Sequence, residues 1–132
     1  MEYKHSEITS NVIAAAFEVH KELGPGFQEV IYQRALEVEF NLRSISFARE
    51  FEMIVYYKSL EIGLRRVDFL VNDIVSVELK AMTKLEDVHL AQALNYLEAY
   101  NLEVGLLINF GAKSLEIKRL YNTRYKSNII NK

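Results

Sequence analysis

Residues 67–81 read VDFLVNDIVSVELKA, and the pairing register of this stretch decides how the chain folds. Two runs rich in β-branched and aromatic residues flank Asn72-Asp73, the composition of a hairpin. A two-residue turn at Asn72-Asp73 would pair Asp68 with Val77 and Glu78 with Val67, mixing charge with hydrocarbon on both faces. A three-residue loop, Asn72 to Ile74, with a bulge puts Val67, Phe69, Val71, Val75, Val77 and Leu79 on one face instead. Arg66, Asp68, Ser76, Glu78 and Lys80 then share the other, with Leu70 the misfit. Because a slip of one residue turns every side chain over, the clean apolar face selects the odd loop.

That register makes Asp68 and Glu78 cross-strand neighbours, and like charges placed opposite each other destabilise a sheet. A divalent cation would remove the repulsion, since hard cations such as Mg²⁺ take carboxylate oxygens and keep several waters. Lys80 points to the same side as Glu78 and can reach the same centre. Two acids holding a metal, with a lysine to orient a water and neutralise an anion, are equipment for phosphodiester hydrolysis. The hairpin alone equally allows a surface salt-bridge cluster of Asp68, Glu78, Lys80 and Arg66.

Outward from the hairpin, the periodicity changes with the element. Residues 6–22, with Leu23 directly after them, place Ile8, Val12, Ala15, Val19 and Leu23 at helical spacing with Ser6 as cap, and Gly24-Pro25-Gly26 ends the helix. A second helix over 28–43 presents Ile31, Ala35, Leu36 and Phe40 to the core. FAREFEMIVYY (47–57) has period two, with Phe47, Phe51, Met53, Val55 and Tyr57 on one side. The strand that enters the hairpin begins near Glu61. A third helix follows over 86–101, with acids in its first turn as the helix dipole favours. GLLINF (105–110) is continuously apolar, as a strand covered on both faces should be, and LEIKRLY (115–121) reads as an edge strand. The expected order is α-α-β-β-β-α-β-β, an α+β arrangement in which helices pack on a mixed sheet.

The chain has 132 residues, half of them hydrophobic and 26% charged, enough for one domain with a core. That domain is expected over 1–132, its core at about 6–122 and a basic tail at 123–132. Without cysteine, neither a disulfide framework nor a thiolate zinc site can form. No leader is recognisable, and no apolar run approaches the ~18 residues of a membrane span, so a cytoplasmic protein is expected. The net charge of −2 argues against non-specific coating of nucleic acid. Lys113, Lys118, Arg119, Arg124, Lys126 and Lys132 nevertheless outnumber Glu116 near the C-terminus, either a solvated edge or a phosphate-contacting one.

Two more constellations accompany Asp68…Glu78-x-Lys80. GFQEVIY supplies Gly26-x-x-Glu29-x-x-Tyr32, and HLAQALNY supplies Gln92-x-x-x-Tyr96. Together with ELGPGFQE, VELKA, AQALNYL and VGLLINFG, in this order from about Ile8 to Gly111, they resemble the GxxExxY family of the PD-(D/E)XK nuclease superfamily. The resemblance implies a restriction-endonuclease-like α-β-β-β-α-β core with its metal site on the second and third strands. It implies Mg²⁺ or Mn²⁺ as cofactor, held by Asp68, Glu78, the carbonyl of Leu79 and Glu29, with Lys80 catalytic. Gln92 and Tyr96 match an element that positions DNA or water. Valine rather than proline precedes Asp68, a position loosely kept in the superfamily.

From the residues themselves, Glu29 in a first helical turn also follows from helix-start preference, and Tyr32 at i+3 suits a core. His89, Gln92 and Tyr96 form one stripe of the third helix, either a polar seam or a set converging on the metal. His89 is not read as a ligand, and His5 and His20 look incidental. The function expected is a metal-dependent nuclease acting on nucleic acid, DNA in the first place. The alternative is a non-cleaving nucleic-acid-binding or accessory module, and a third reading is a structural partner with relic acids. So small a chain has little surface for selecting substrate, hence the expectation of a homodimer or a partner protein.

Overall fold

A computed structural model describes residues 4–127. Its elements are α1 (Ser6–Leu23), α2 (Glu29–Leu42), β1 (Phe47–Tyr57), β2 (Leu60–Val71), β3 (Val75–Lys80), α3 (Asp87–Ala99), β4 (Val104–Asn109) and β5 (Glu116–Tyr121). This is the order expected from periodicity. The strands lie β1-β2-β3-β4-β5 in a mixed sheet: β3 and β4 run parallel through the α3 crossover, and the other neighbours are antiparallel. Residues 128–132 of the expected basic tail, Lys132 among them, lie outside the described residues.

Helices cover both faces of the sheet. Leu106, Ile108 and Phe110 join Val12, Ala15, Leu36, Phe40 and the hairpin residues Phe69, Val71, Val75, Val77 and Leu79 in one core under α1 and α2. The alternate residue Leu107 meets Ala93 and Leu85 on the α3 side. Being covered on both sides explains why β4 is buried throughout and why its sequence does not alternate. At Gly105 an added Cβ would lie 2.5 Å from Ser76 Oγ and 2.9 Å from Leu97, so only glycine lets α3 come this close.

The hairpin adopts the odd register: Val71 pairs with Val75, Leu70 with Ser76 and Phe69 with Val77. Both turn options contribute to it. Asn72 and Asp73 take left-handed φ values of 53° and 59°, as in a primed two-residue turn. Ile74 is the extra residue, its N–H closing on the Val71 carbonyl at 3.0 Å.

Three local expectations are corrected. Ser6 does not cap α1; His5 holds that position with φ 55°, and no side chain caps the helix. The buried face of α2 is Tyr32, Gln33, Leu36 and Phe40 rather than one that includes Ile31. The odd residues of β1 do not share one side, for Phe47 packs on Phe40 and Phe69 under α2, whereas Met53 meets Tyr96 of α3. Between them, Glu50 adopts φ 52° and drops out of the pairing, a local irregularity that re-aims the strand.

Candidate active site

Asp68 stands where the sheet is interrupted on both sides. Toward β1, Arg49 pairs with Phe69 and Phe51 with Val67, and the left-handed Glu50 between them leaves Asp68 unpaired. Toward β3, pairing stops at Phe69 and Val77, so the expected ladder contact between Asp68 and Glu78 does not form. The Leu79 N–H donates to Asp68 Oδ2 at 2.7 Å instead. A side chain has taken the place of a backbone acceptor, and the strands part around it. Opposite, the Gln33 amide of α2 donates to Asp68 Oδ1 at 2.8 Å. A cavity of about 280 Å³ opens here, lined by Glu29, Val30, Gln33, Glu50, Arg66 and Asp68.

Glu78 faces the other way, toward α3. Its partner is Arg65, Nη2 to Oε1 3.3 Å, rather than the Arg66 of the expected salt-bridge cluster. The same Nη2 donates to the Gln92 carbonyl at 3.3 Å, and the guanidinium lies 5.8 Å from the Tyr96 ring centre. Of the expected α3 stripe, Tyr96 is buried with its hydroxyl on Met53 sulfur at 3.2 Å. The Gln92 side chain is exposed, and only its backbone takes part. His89 Nδ1 accepts the Glu86 N–H at 3.0 Å and closes a capping box, a helix-start role.

Glu29 opens α2, where the dipole favours an anion. Its position depends on the preceding loop, in which Gly24 and Gly26 take φ 67° and 112°, conformations that glycine alone adopts without strain. The fully buried Tyr32 closes this loop: its hydroxyl donates to the Gly24 carbonyl at 2.5 Å and accepts from the Phe27 N–H at 3.2 Å, while its ring stacks on Phe110. Gly26 and Tyr32 are thus architectural, and what they deliver is the Glu29 carboxylate.

All three acids are held above their ordinary carboxylate range, and loss of solvent is the chief cause in each. For Glu29, neighbouring Asp68 and, more weakly, Glu78 add to the rise. For Asp68, the Leu79 N–H, Gln33 and Lys80 oppose it while Glu50 adds to it. For Glu78, Arg65 opposes it and Asp68 adds. Among the described residues the Lys80 ammonium has no direct hydrogen bond or ion pair, yet it is a cation that all three acids share. Burial, then Tyr100 and Glu78, push the Tyr96 phenol up as well, so it stays protonated.

A sequence model of the PD-(D/E)XK nuclease superfamily matches residues 6–120, spanning every element from α1 to the last strand. The chain belongs to this superfamily. Its five-stranded mixed sheet flanked by helices is consistent with the restriction-endonuclease-like fold. A solved structure titled "Crystal structure of SSO0001" matches with a TM-score of 0.58 at 16% identity, over 71% of this chain and 50% of that one. At that identity the likeness is one of fold, and this chain spans half the length of that protein. No curated protein matches the chain. Superfamily membership points to nuclease-like function, and PD-(D/E)XK nucleases generally use Mg²⁺ or Mn²⁺.

The donors present suit such a hard cation, being carboxylate and carbonyl oxygens with no thiolate or imidazole. Among the described residues no three acidic, histidine or cysteine side chains stand close enough to form a cage by themselves. Mg²⁺ does not need one, since it is commonly bound by one or two carboxylates, several waters and substrate phosphates.

Sequence reading left Gln33, Arg49, Glu50 and Arg65 out of the site. Gln33 follows Tyr32 directly and falls on the buried face of α2, the one signal that could have found it. Arg49 enters from β1 through α2, Glu50 beside the gap at Asp68, and Arg65 through Glu78 and the Gln92 carbonyl, all contacts between elements.

Proposed function

We propose that this chain is a Mg²⁺- or Mn²⁺-dependent nuclease of the GxxExxY type, hydrolysing phosphodiesters of nucleic acid, DNA in the first place. The observation that carries the reading is Asp68, turned out of the broken ladder onto the Leu79 N–H and the Gln33 amide beside a cavity that Glu29 also lines, with Glu78 and Lys80 on the neighbouring strand. Asp68, Glu78, Glu29 and the Leu79 carbonyl would hold the cation. When bound, the ion supplies Lewis-acid stabilisation of the phosphoryl charge and a more acidic water. Lys80 orients the attacking water and offsets charge that develops on the phosphate oxygens. Arg65 opposes part of the rise that burial causes in Glu78, and Tyr96 packs behind it. Gln92, on the exposed face of α3, would contact DNA. Described basic residues of the C-terminal region, among them Lys118, Arg124 and Lys126, would contribute phosphate contacts and a salt dependence.

The second reading, a non-cleaving nucleic-acid-binding or accessory module, draws on the Arg65–Glu78 pair, which occupies an acid needed for metal. We include in the proposal one cytoplasmic nuclease-like domain over 1–132 with its core at about 6–122, acting as a homodimer or with a partner protein. Calorimetry with Mn²⁺ on the wild type and Glu78→Ala tests the site, and cleavage assays with Lys80→Ala test the chemistry. Binding lost in Glu78→Ala and cleavage abolished in both variants is the expected result. Unchanged cleavage in both would sink the assignment, and salt-sensitive DNA binding without turnover would select the second reading.

A further inference from the structure

Gln33 is a buried polar residue with both ends of its amide engaged. Its Nε2 donates to Asp68 Oδ1 at 2.8 Å, and its Oε1 accepts from Arg49 Nε at 3.0 Å. Arg49 is in turn held by Glu37, Nη1 to Oε1 2.9 Å. A guanidinium can only donate, so Gln33 must present its oxygen to Arg49 and its NH₂ to Asp68. The amide orientation is therefore set by β1, one element away from the carboxylate it serves. Glu37 and Gln33 are one helical turn apart on α2 and grip the same arginine, so the relay ties α2, β1 and β2 together at the place where the ladder is broken.

We infer that Gln33 and Arg49 are positioning residues for Asp68, a relay from Glu37 through Arg49 and the Gln33 amide that fixes the carboxylate's rotamer. This rests on the reading of Asp68 as a metal-holding acid. One lone pair on each carboxylate oxygen is taken, Oδ1 by Gln33 and Oδ2 by the Leu79 N–H, which leaves the carboxylate a defined orientation toward the cavity with acceptor capacity unused. Without Arg49, the amide can turn its oxygen toward Asp68 and repel it. Without Gln33, the carboxylate keeps a single fixed contact and loses its defined rotamer.

Two measurements on the full chain separate the relay from the metal reading. The Gln33 side-chain amide protons, followed by NMR without metal, should exchange slowly in the wild type and fast in Arg49→Met. Mn²⁺ affinity by calorimetry should fall about ten-fold in Arg49→Met, measured below its lowered thermal midpoint, the loss of one charge-assisted hydrogen bond. Arg49→Lys keeps one donor for the Gln33 oxygen and should restore most of the affinity. Gln33→Leu should match or exceed the loss in Arg49→Met. Amide protons that exchange fast in the wild type, or Mn²⁺ affinity in Arg49→Met equal to the wild type, would overturn the relay. Failure of the wild type to bind Mn²⁺ while the amide stays protected would instead overturn the metal site and leave the relay as a structural clamp.

Discussion

Removing one oxygen atom from Tyr32 tests whether the loop before Glu29 is held as described. In Tyr32→Phe the ring still stacks on Phe110, with centroids 4.8 Å apart, and still meets Phe27 edge-on. What disappears is the acceptor for the Phe27 N–H and the donor to the Gly24 carbonyl. Each such bond contributes about 0.5–1.5 kcal/mol net. The loop groups stay near solvent, where water recovers part of the loss, so the expected destabilisation is about 1–2 kcal/mol. For a chain of this size that lowers the thermal midpoint by roughly 3–10 °C. Tyr32→Leu loses the ring contacts too and leaves a void, so it should cost roughly 3–5 kcal/mol. Urea denaturation of wild type, Tyr32→Phe and Tyr32→Leu gives both differences, and an unchanged slope shows that the native state keeps its compactness. Mn²⁺ affinity should fall in Tyr32→Phe as well, because a loosened loop no longer holds Glu29. A loss in Tyr32→Phe below about 0.5 kcal/mol would refute the clamp, for neither hydrogen bond would then matter.

The raised carboxylates make a signed pH prediction. A glutamate held above its ordinary value of 4.5 in the folded protein is one that the native state prefers protonated. Metal-free stability should therefore fall as pH rises from about the ordinary carboxylate value through the raised one, and Glu78→Gln should remove part of that fall. At neutral pH the glutamine variant should be at least as stable as the wild type by thermal denaturation while losing Mn²⁺ binding, and a marked loss of stability would show that Arg65 outweighs burial. Glu116, lowered by its bonds to Asn109 and the Leu85 N–H, works in the opposite sense and is common to both proteins. Gly111→Ala should destabilise by about 2 kcal/mol or more, because the new Cβ would lie 2.3 Å from the Met82 nitrogen in a loop whose backbone Asn109 already grips on both sides. Expression of that variant as a well-folded protein of wild-type midpoint would show that the loop after Lys80 can move aside.

Legibility in the sequence followed the range of the interaction concerned. The helices and the hairpin strands were readable because burial on one face imposes a period on the residues of that element alone, and β4 because burial on both faces removes it. The odd register of the hairpin was readable for the same reason, since only one pairing kept Phe69, Val71, Val75 and Val77 on a common side. The motif acids and Lys80 stood out as charges inside apolar strands. The alternation expected for β1 failed at Glu50, whose left-handed φ carries no compositional mark. The roles of Gly26 and Tyr32 were opaque because they meet across a loop, one supplying the backbone angle and the other the anchor.

What the chain determined by itself was the sequence of elements, the hairpin pairing, and which residue types could hold a hard cation. Only the tertiary structure decided that Asp68 turns into a gap between strands, that Arg65 rather than Arg66 faces Glu78, and that Gln33 and Arg49 stand behind the site. Periodicity is a property of neighbours along the chain and can be counted. A broken ladder depends on backbone groups that leave their partners when a distant side chain offers a better one, and no local pattern of residues records that exchange.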